Sequence, residues 1–93
     1  MLMMTRKRGS RVFIGDDLVL TVDGFNSRSA RLTVTTRDGH PRIKSNVPME
    51  SAVSLDDIRI VPMRGNEGLL HLGIQAPDHI QILRDDAKRR TAS

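Results

Sequence analysis

Apolar residues recur at every second position through most of the chain, a period that restricts its elements to strands burying one face. Leu18, Leu20 and Val22 fall on one side with Val19 and Thr21 opposite. Ala30, Leu32 and Val34 interleave with Arg31, Thr33 and Thr35, and Ile58 and Ile60 with Arg59 and Val61. Leu70, Leu72 and Ile74 form another such run, and Ile80 and Ile82 a last short one. Turn signals separate the runs at Gly9-Ser10, Gly15-Asp16-Asp17, Asn26-Ser27, Asp38-Gly39, Gly65-Asn66 and Ala76-Pro77-Asp78. The expected fold is all-β, a small sheet of short antiparallel strands. From Asp85 onward acids precede Lys88, Arg89 and Arg90, an order that suits the macrodipole of a short C-terminal helix. A further helical turn is expected over Pro48–Leu55, with Pro48 at its first position.

The 93 residues are expected to form a single domain, residues 1–93, with a core small enough that oligomerisation would help it. There is no cysteine, so no disulfide or cysteine-based zinc site can form, which fits a reducing compartment. Met1–Met4 runs at once into Thr5-Arg6-Lys7-Arg8, a poor signal peptide, and no long apolar run follows. The expectation is a cytoplasmic protein with no membrane partner.

The formal charge of +4 points to a polyanionic partner, and its distribution says more than its total. Residues 1–15 carry Arg6, Lys7, Arg8 and Arg11 without an acid, and residues 24–44 carry Arg28, Arg31, Arg37, Arg42 and Lys44 against Asp38 alone. An ordinary solvated surface could look the same. Phe13 and Phe25 are the only aromatics, which disfavours modules that stack successive bases on aromatic platforms. Any RNA would be held by charge, main-chain groups and polar side chains.

The chain also echoes itself. Asp16-Asp17-Leu18-Val19-Leu20 resembles Asp56-Asp57-Ile58-Arg59-Ile60 at an offset of 56 − 16 = 40 residues. At the same offset Asn26 meets Asn66, Leu32 meets Leu72 and Val34 meets Ile74. Duplication of a hairpin and chance likeness of two amphipathic hairpins both account for this, and two copies fall short of a solenoid.

The opening Met1-Leu2-Met3-Met4-Thr5-Arg6-Lys7-Arg8-Gly9-Ser10, followed by Val12-Phe13-Ile14-Gly15-Asp16, resembles the start of the CsrA/RsmA family of bacterial translational regulators. Gly65-Asn66, Leu70-His71-Leu72-Gly73-Ile74-Gln75-Ala76-Pro77 and Ile80-Gln81-Ile82-Leu83-Arg84-Asp85 resemble that family's second half, in the correct order. The two motifs together cover about half the chain. The resemblance implies an interleaved homodimer that binds GGA-containing single-stranded loops in messenger RNA leaders and represses translation or alters message stability. Small sequestering RNAs are implied as further partners, and DNA is not. By position it implies RNA contact at Met4, Thr5, Arg6 and Lys7, and at Ala76, Pro77, Ile80 and Arg84. Arg6 and Lys7 are neighbours on a strand and point to opposite faces, so only one can face a given ligand. Taken alone, both suit a solvated strand face, and Arg84 suits an ion pair with Asp85 or Asp86.

Family members run directly from the strand near Leu18–Gly24 into the one near Leu69–Ile74, so residues 25–64 are expected to be an insertion contributing a strand pair near Ala30–Thr35 and Arg59–Met63. Pro62 cannot donate to a ladder and is expected at an edge or bulge. The polar stretch Arg37–Leu55, with Pro41 and Pro48, is expected to run over the surface. Because the first half of the insertion is basic, Arg31, Arg37, Arg42 and Lys44 are candidates for added RNA contact; the alternative is that the insertion covers the RNA edge.

An enzyme is not expected. His40, His71 and His79 are scattered, phosphate-loop and nucleophile motifs are missing, and the Asp pairs lack hard-metal spacing. No cofactor or metal is expected. The competing reading is a protein-interaction module on the same scaffold, which pairs with or titrates a related regulator without binding RNA.

Overall fold

The computed structural model describes residues 1–85 and contains nine strands in two antiparallel sheets. They are β1 (Leu2–Arg6), β2 (Arg11–Ile14), β3 (Leu18–Phe25), β4 (Ser29–Thr36), β5 (Pro41–Pro48), β6 (Val53–Leu55), β7 (Ile58–Arg64), β8 (Leu70–Gln75) and β9 (Ile82–Arg84). One sheet has the order β1-β8-β7-β6 and the other β5-β4-β3-β2-β9. The sheets bury one shared core. Leu18, Leu20, Val22, Ala30, Leu32 and Val34 come from the five-stranded sheet; Ile58, Ile60, Leu70, Leu72 and Ile74 come from the other. The two-residue alternation therefore identified the inward side of β3, β4, β7 and β8.

Three expectations need correction. Pro48–Leu55 is not helical: Pro48 ends β5, Met49 and Glu50 turn, and Val53–Leu55 is β6. The stretch Arg37–Leu55 holds those two strands and is no mere surface linker. Between Phe25 and Arg64 the chain contributes β4, β5, β6 and β7, twice the expected strand pair. The helix expected after Asp85 falls on residues 86–93, outside the described residues, and the described residues contain no helix. No helix of the described residues is long and apolar enough to cross a membrane.

Two bulges and a proline shape the ladders. Val22 faces Leu32 while Gly24 faces Arg31, so Asp23 is the extra residue, and its carboxylate accepts from the Thr33 hydroxyl. Val34 faces Ile43 while Thr35 faces Pro41, which leaves Arg42 as the extra residue of β5. Pro62 lies in β7 opposite Leu72, beyond the three residues of β7 that β6 pairs. Its carbonyl instead accepts from the Glu50 N–H at 2.7 Å, so the missing donor falls where the ladder has already ended.

The β4–β5 turn is held by local polar contacts. The Thr36 hydroxyl donates to Asp38, and His40 Nδ1 lies 3.3 Å from the same carboxylate. Thr36 first, and His40 second, hold the Asp38 carboxyl below its ordinary value of 3.8. This small contribution to stability is present above the ordinary value and lost as pH falls through the lowered one. The Gly39 and His40 amide resonances should therefore titrate with a midpoint below 3.8, and a midpoint at or above it would contradict the contact.

Candidate nucleic-acid interface

The terminal motifs, far apart in sequence, meet at one side of the sandwich. β1 is the outermost strand of its sheet and β9 the outermost strand on the same side of the other. β1 pairs with β8 from Leu2 opposite Ile74 to Arg6 opposite Leu70. β9 pairs with β2 from Ile82 opposite Ile14 to Arg84 opposite Val12. Residues 76–81 carry the chain from one sheet to the other, and the Gln81 carbonyl accepts from the Gly15 N–H at 2.7 Å.

Arg6 joins the two strands. Its Nη1 donates to Asp85 Oδ1 at 2.9 Å and to the Arg11 carbonyl at 3.3 Å, and its Nε donates to the Thr5 carbonyl at 2.9 Å. Asp85 completes the clamp, with Oδ2 accepting from the Arg11 N–H at 2.9 Å and its own N–H donating to the Arg11 carbonyl at 3.0 Å. Arg6 is only 5 % exposed and Asp85 24 %, so the planar fork is spent on protein partners. Lys7, expected on the strand, lies just past the end of β1 and is exposed, whereas Arg6 holds the strands together.

Among the other terminal candidates, Met4 and Thr5 are half-buried on β1. Ala76, Pro77 and Ile80 are half-buried in the crossover, and Arg84 is exposed on β9. Of the insertion's basic candidates, Arg37 comes nearest them, against Phe13, which faces Leu83 of β9. Arg31 on β4 and Lys44 on β5 are exposed, but β3 and β2 lie between β4 and β9. Arg37 donates to the Gly15 carbonyl at 3.0 Å and stands 5.0 Å from the centre of the Phe13 ring. Arg42 lies 3.7 Å from Asp56.

Residue type alone did not point to Leu2, Met3 and Leu83. All are more than a third exposed, as is Met1, and they place apolar side chains on the two edge strands. The signal was available in the alternation, because β1 and β9 have apolar residues on both faces and only one can be buried.

Acidic side chains predominate at one end of the sandwich and basic ones at the other. Asp16, Asp17, Asp56 and Asp57, with Arg42 beside Asp56, line a cleft of about 260 Å³ between the β2–β3 and β6–β7 turns. At the other end Arg8 and Arg64 line a groove of about 520 Å³ with Phe25, Asn66 and one acid, Glu67, and Arg31 lies beside Arg8 in an adjoining one. Lys7 and Arg84 lie toward the basic end, near the Arg6–Asp85 clamp, whereas Ile80 borders the acidic cleft. Among the described residues no three histidine or carboxylate side chains are grouped to hold a metal ion. No family model, curated protein or solved structure matches the chain.

Proposed function

We propose that this protein is an RNA-binding post-transcriptional regulator that holds a GGA-containing single-stranded loop of a messenger leader along β1 and β9. The observation that carries the reading is the meeting of the two terminal motifs through Arg6 and Asp85, 79 residues apart in sequence. An edge strand presents one row of main-chain donors and acceptors outward, and unstacked bases can be read by such groups. Leu2, Met3 and Leu83 offer apolar surface against which bases can rest, while Lys7 and Arg84 supply charge for phosphates or base edges. Blocking ribosome access or altering message stability would follow from occupying the leader.

The exposed apolar side chains on two edge strands also favour a second reading, in which a strand of a related regulator adds to this edge and no RNA is bound. A gel shift separates the two. A GGA-loop hairpin should bind, a mutated-loop control should bind much more weakly, and Arg84→Ala should weaken the specific complex by about tenfold or more, as loss of a specific arginine contact does. Lys7→Ala should weaken both hairpins alike and flatten the salt dependence. Equal, weak binding of both hairpins, unchanged by Arg84→Ala, would remove the RNA reading.

A further inference from the structure

The strand order contains an internal two-fold exchange. β1–β4 and β5–β8 are equivalent units, and each contributes its first strand to the other's sheet: β1 pairs with β8, and β5 pairs with β4. The registers agree residue by residue. Leu20 faces Val34 and Ile60 faces Ile74, an offset of 60 − 20 = 74 − 34 = 40. Val12 faces Leu20 and Val53 faces Ile60, so β2 and β6 are related by 53 − 12 = 41. The extra residue is the turn itself, 15–17 in one unit against 56–57 in the other. The echo in the sequence is therefore a structural repeat.

The exchange is incomplete at one place. Sheet order puts β9 beside β2, but among the described residues nothing lies beside β6. Its apolar residues register the difference: Val12 and Ile14 are 0 % and 2 % exposed, whereas Val53 and Leu55, their counterparts, are half-buried. The clamp differs to match. Leu70 faces Arg6, and its counterpart Ala30 faces Val47, so a buried valine occupies the position of Arg6. An arginine there would have no Asp85 to meet, and an apolar side chain is the stable choice.

We infer that one chain supplies, from its own two halves, what a symmetric pair of subunits would supply, and that it holds a single RNA loop. The loop sits on the β1–β9 side; the β5–β6 side has β5 in the place of β1 but no strand in the place of β9. This rests on the reading of β1–β9 as an RNA edge. A monovalent protein occupies a message without bridging two loops.

Sedimentation and native mass spectrometry of the intact protein with a single GGA-loop hairpin test the inference. The expected result is a free species of 10.4 kDa and a complex of one chain with one hairpin. An RNA with two such loops should bind with no more than about a twofold statistical gain, against the 10²–10⁴ typical of a bivalent binder. Arg84→Ala should weaken the whole of the specific binding by about tenfold or more, leaving no fraction of sites at the original affinity. Two hairpins per chain, an obligate dimer, or half-retained binding in Arg84→Ala would overturn the single-site inference. A well-folded monomer that binds no hairpin would overturn the RNA reading beneath it.

Discussion

Leu32→Ala and Leu72→Ala are each expected to cost about 3 kcal/mol and to lower the stability of the entire chain, not of one half. Both side chains are fully buried in the shared core, at equivalent positions of the two repeats. Truncation removes the transfer free energy of the lost carbons and leaves a cavity that rigid central strands can only partly close. For a chain of this length the total stability is on the order of 5–14 kcal/mol, so either change removes a large fraction. Each sheet contains strands of both halves, so neither repeat can melt and leave the other whole. Urea unfolding followed by far-ultraviolet circular dichroism and by amide resonances of both halves should give one coincident transition. Separate midpoints for the two halves would sink this account of the core.

Arg6→Ala, which truncates a side chain only 5 % exposed, should destabilise the fold by roughly 2 kcal/mol and, on the proposed RNA reading, also weaken the hairpin complex. Hydrogen bonds to charged groups contribute about 1.5–3 kcal/mol each, and solvent at the partly exposed Asp85 keeps the total well below that of a fully buried pair. The change releases the Asp85 carboxylate from β1 and frees the end of β9, which displaces Arg84. Hydrogen exchange should accelerate at the β2–β9 pairing before it does in β3 or β4. A double-mutant cycle with Asp85→Ala should return a coupling of roughly 2 kcal/mol, and independent effects would show that the clamp holds nothing. Arg6→Lys should behave more like alanine than like arginine, because one ammonium cannot reach Thr5, Arg11 and Asp85 from a single position.

The inward face of each long strand was legible because Leu18, Leu20 and Val22, or Leu70, Leu72 and Ile74, leave no doubt about which side is apolar. β5 was illegible for a physical reason. Its inward positions Ile43, Ser45 and Val47 include a serine, its outward positions carry Arg42, Lys44 and Asn46, and prolines bound it. β6 is too short for any period to show. Alternation also states which face is buried but not which strand lies alongside, so the crossing of β1 to β8 had no local signal, whereas the β4–β5 hairpin had one in Asp38-Gly39. At the interface, Lys7 and Arg84 follow the ordinary rule that charge faces water. Arg6 breaks it, buried against Asp85, which is 79 residues away in sequence, and the Thr5 and Arg11 carbonyls.

The pairing of Leu2 with Ile74 sets an order of assembly. β1 is synthesised before β8, the partner that lies 74 − 2 = 72 residues later. The β3–β4–β5 meander, closed by the short turns at Asn26-Ser27 and Asp38-Gly39, can form as soon as it is synthesised. The four-stranded sheet must wait for β8. Until then Met1, Leu2 and Met3 have no strand to pair with in that sheet, and long-range pairing of this kind is slow and open to aggregation. β1 therefore docks well after it is made, and the edge formed by β1 and β9 becomes available only once β8 and β9 have both been synthesised.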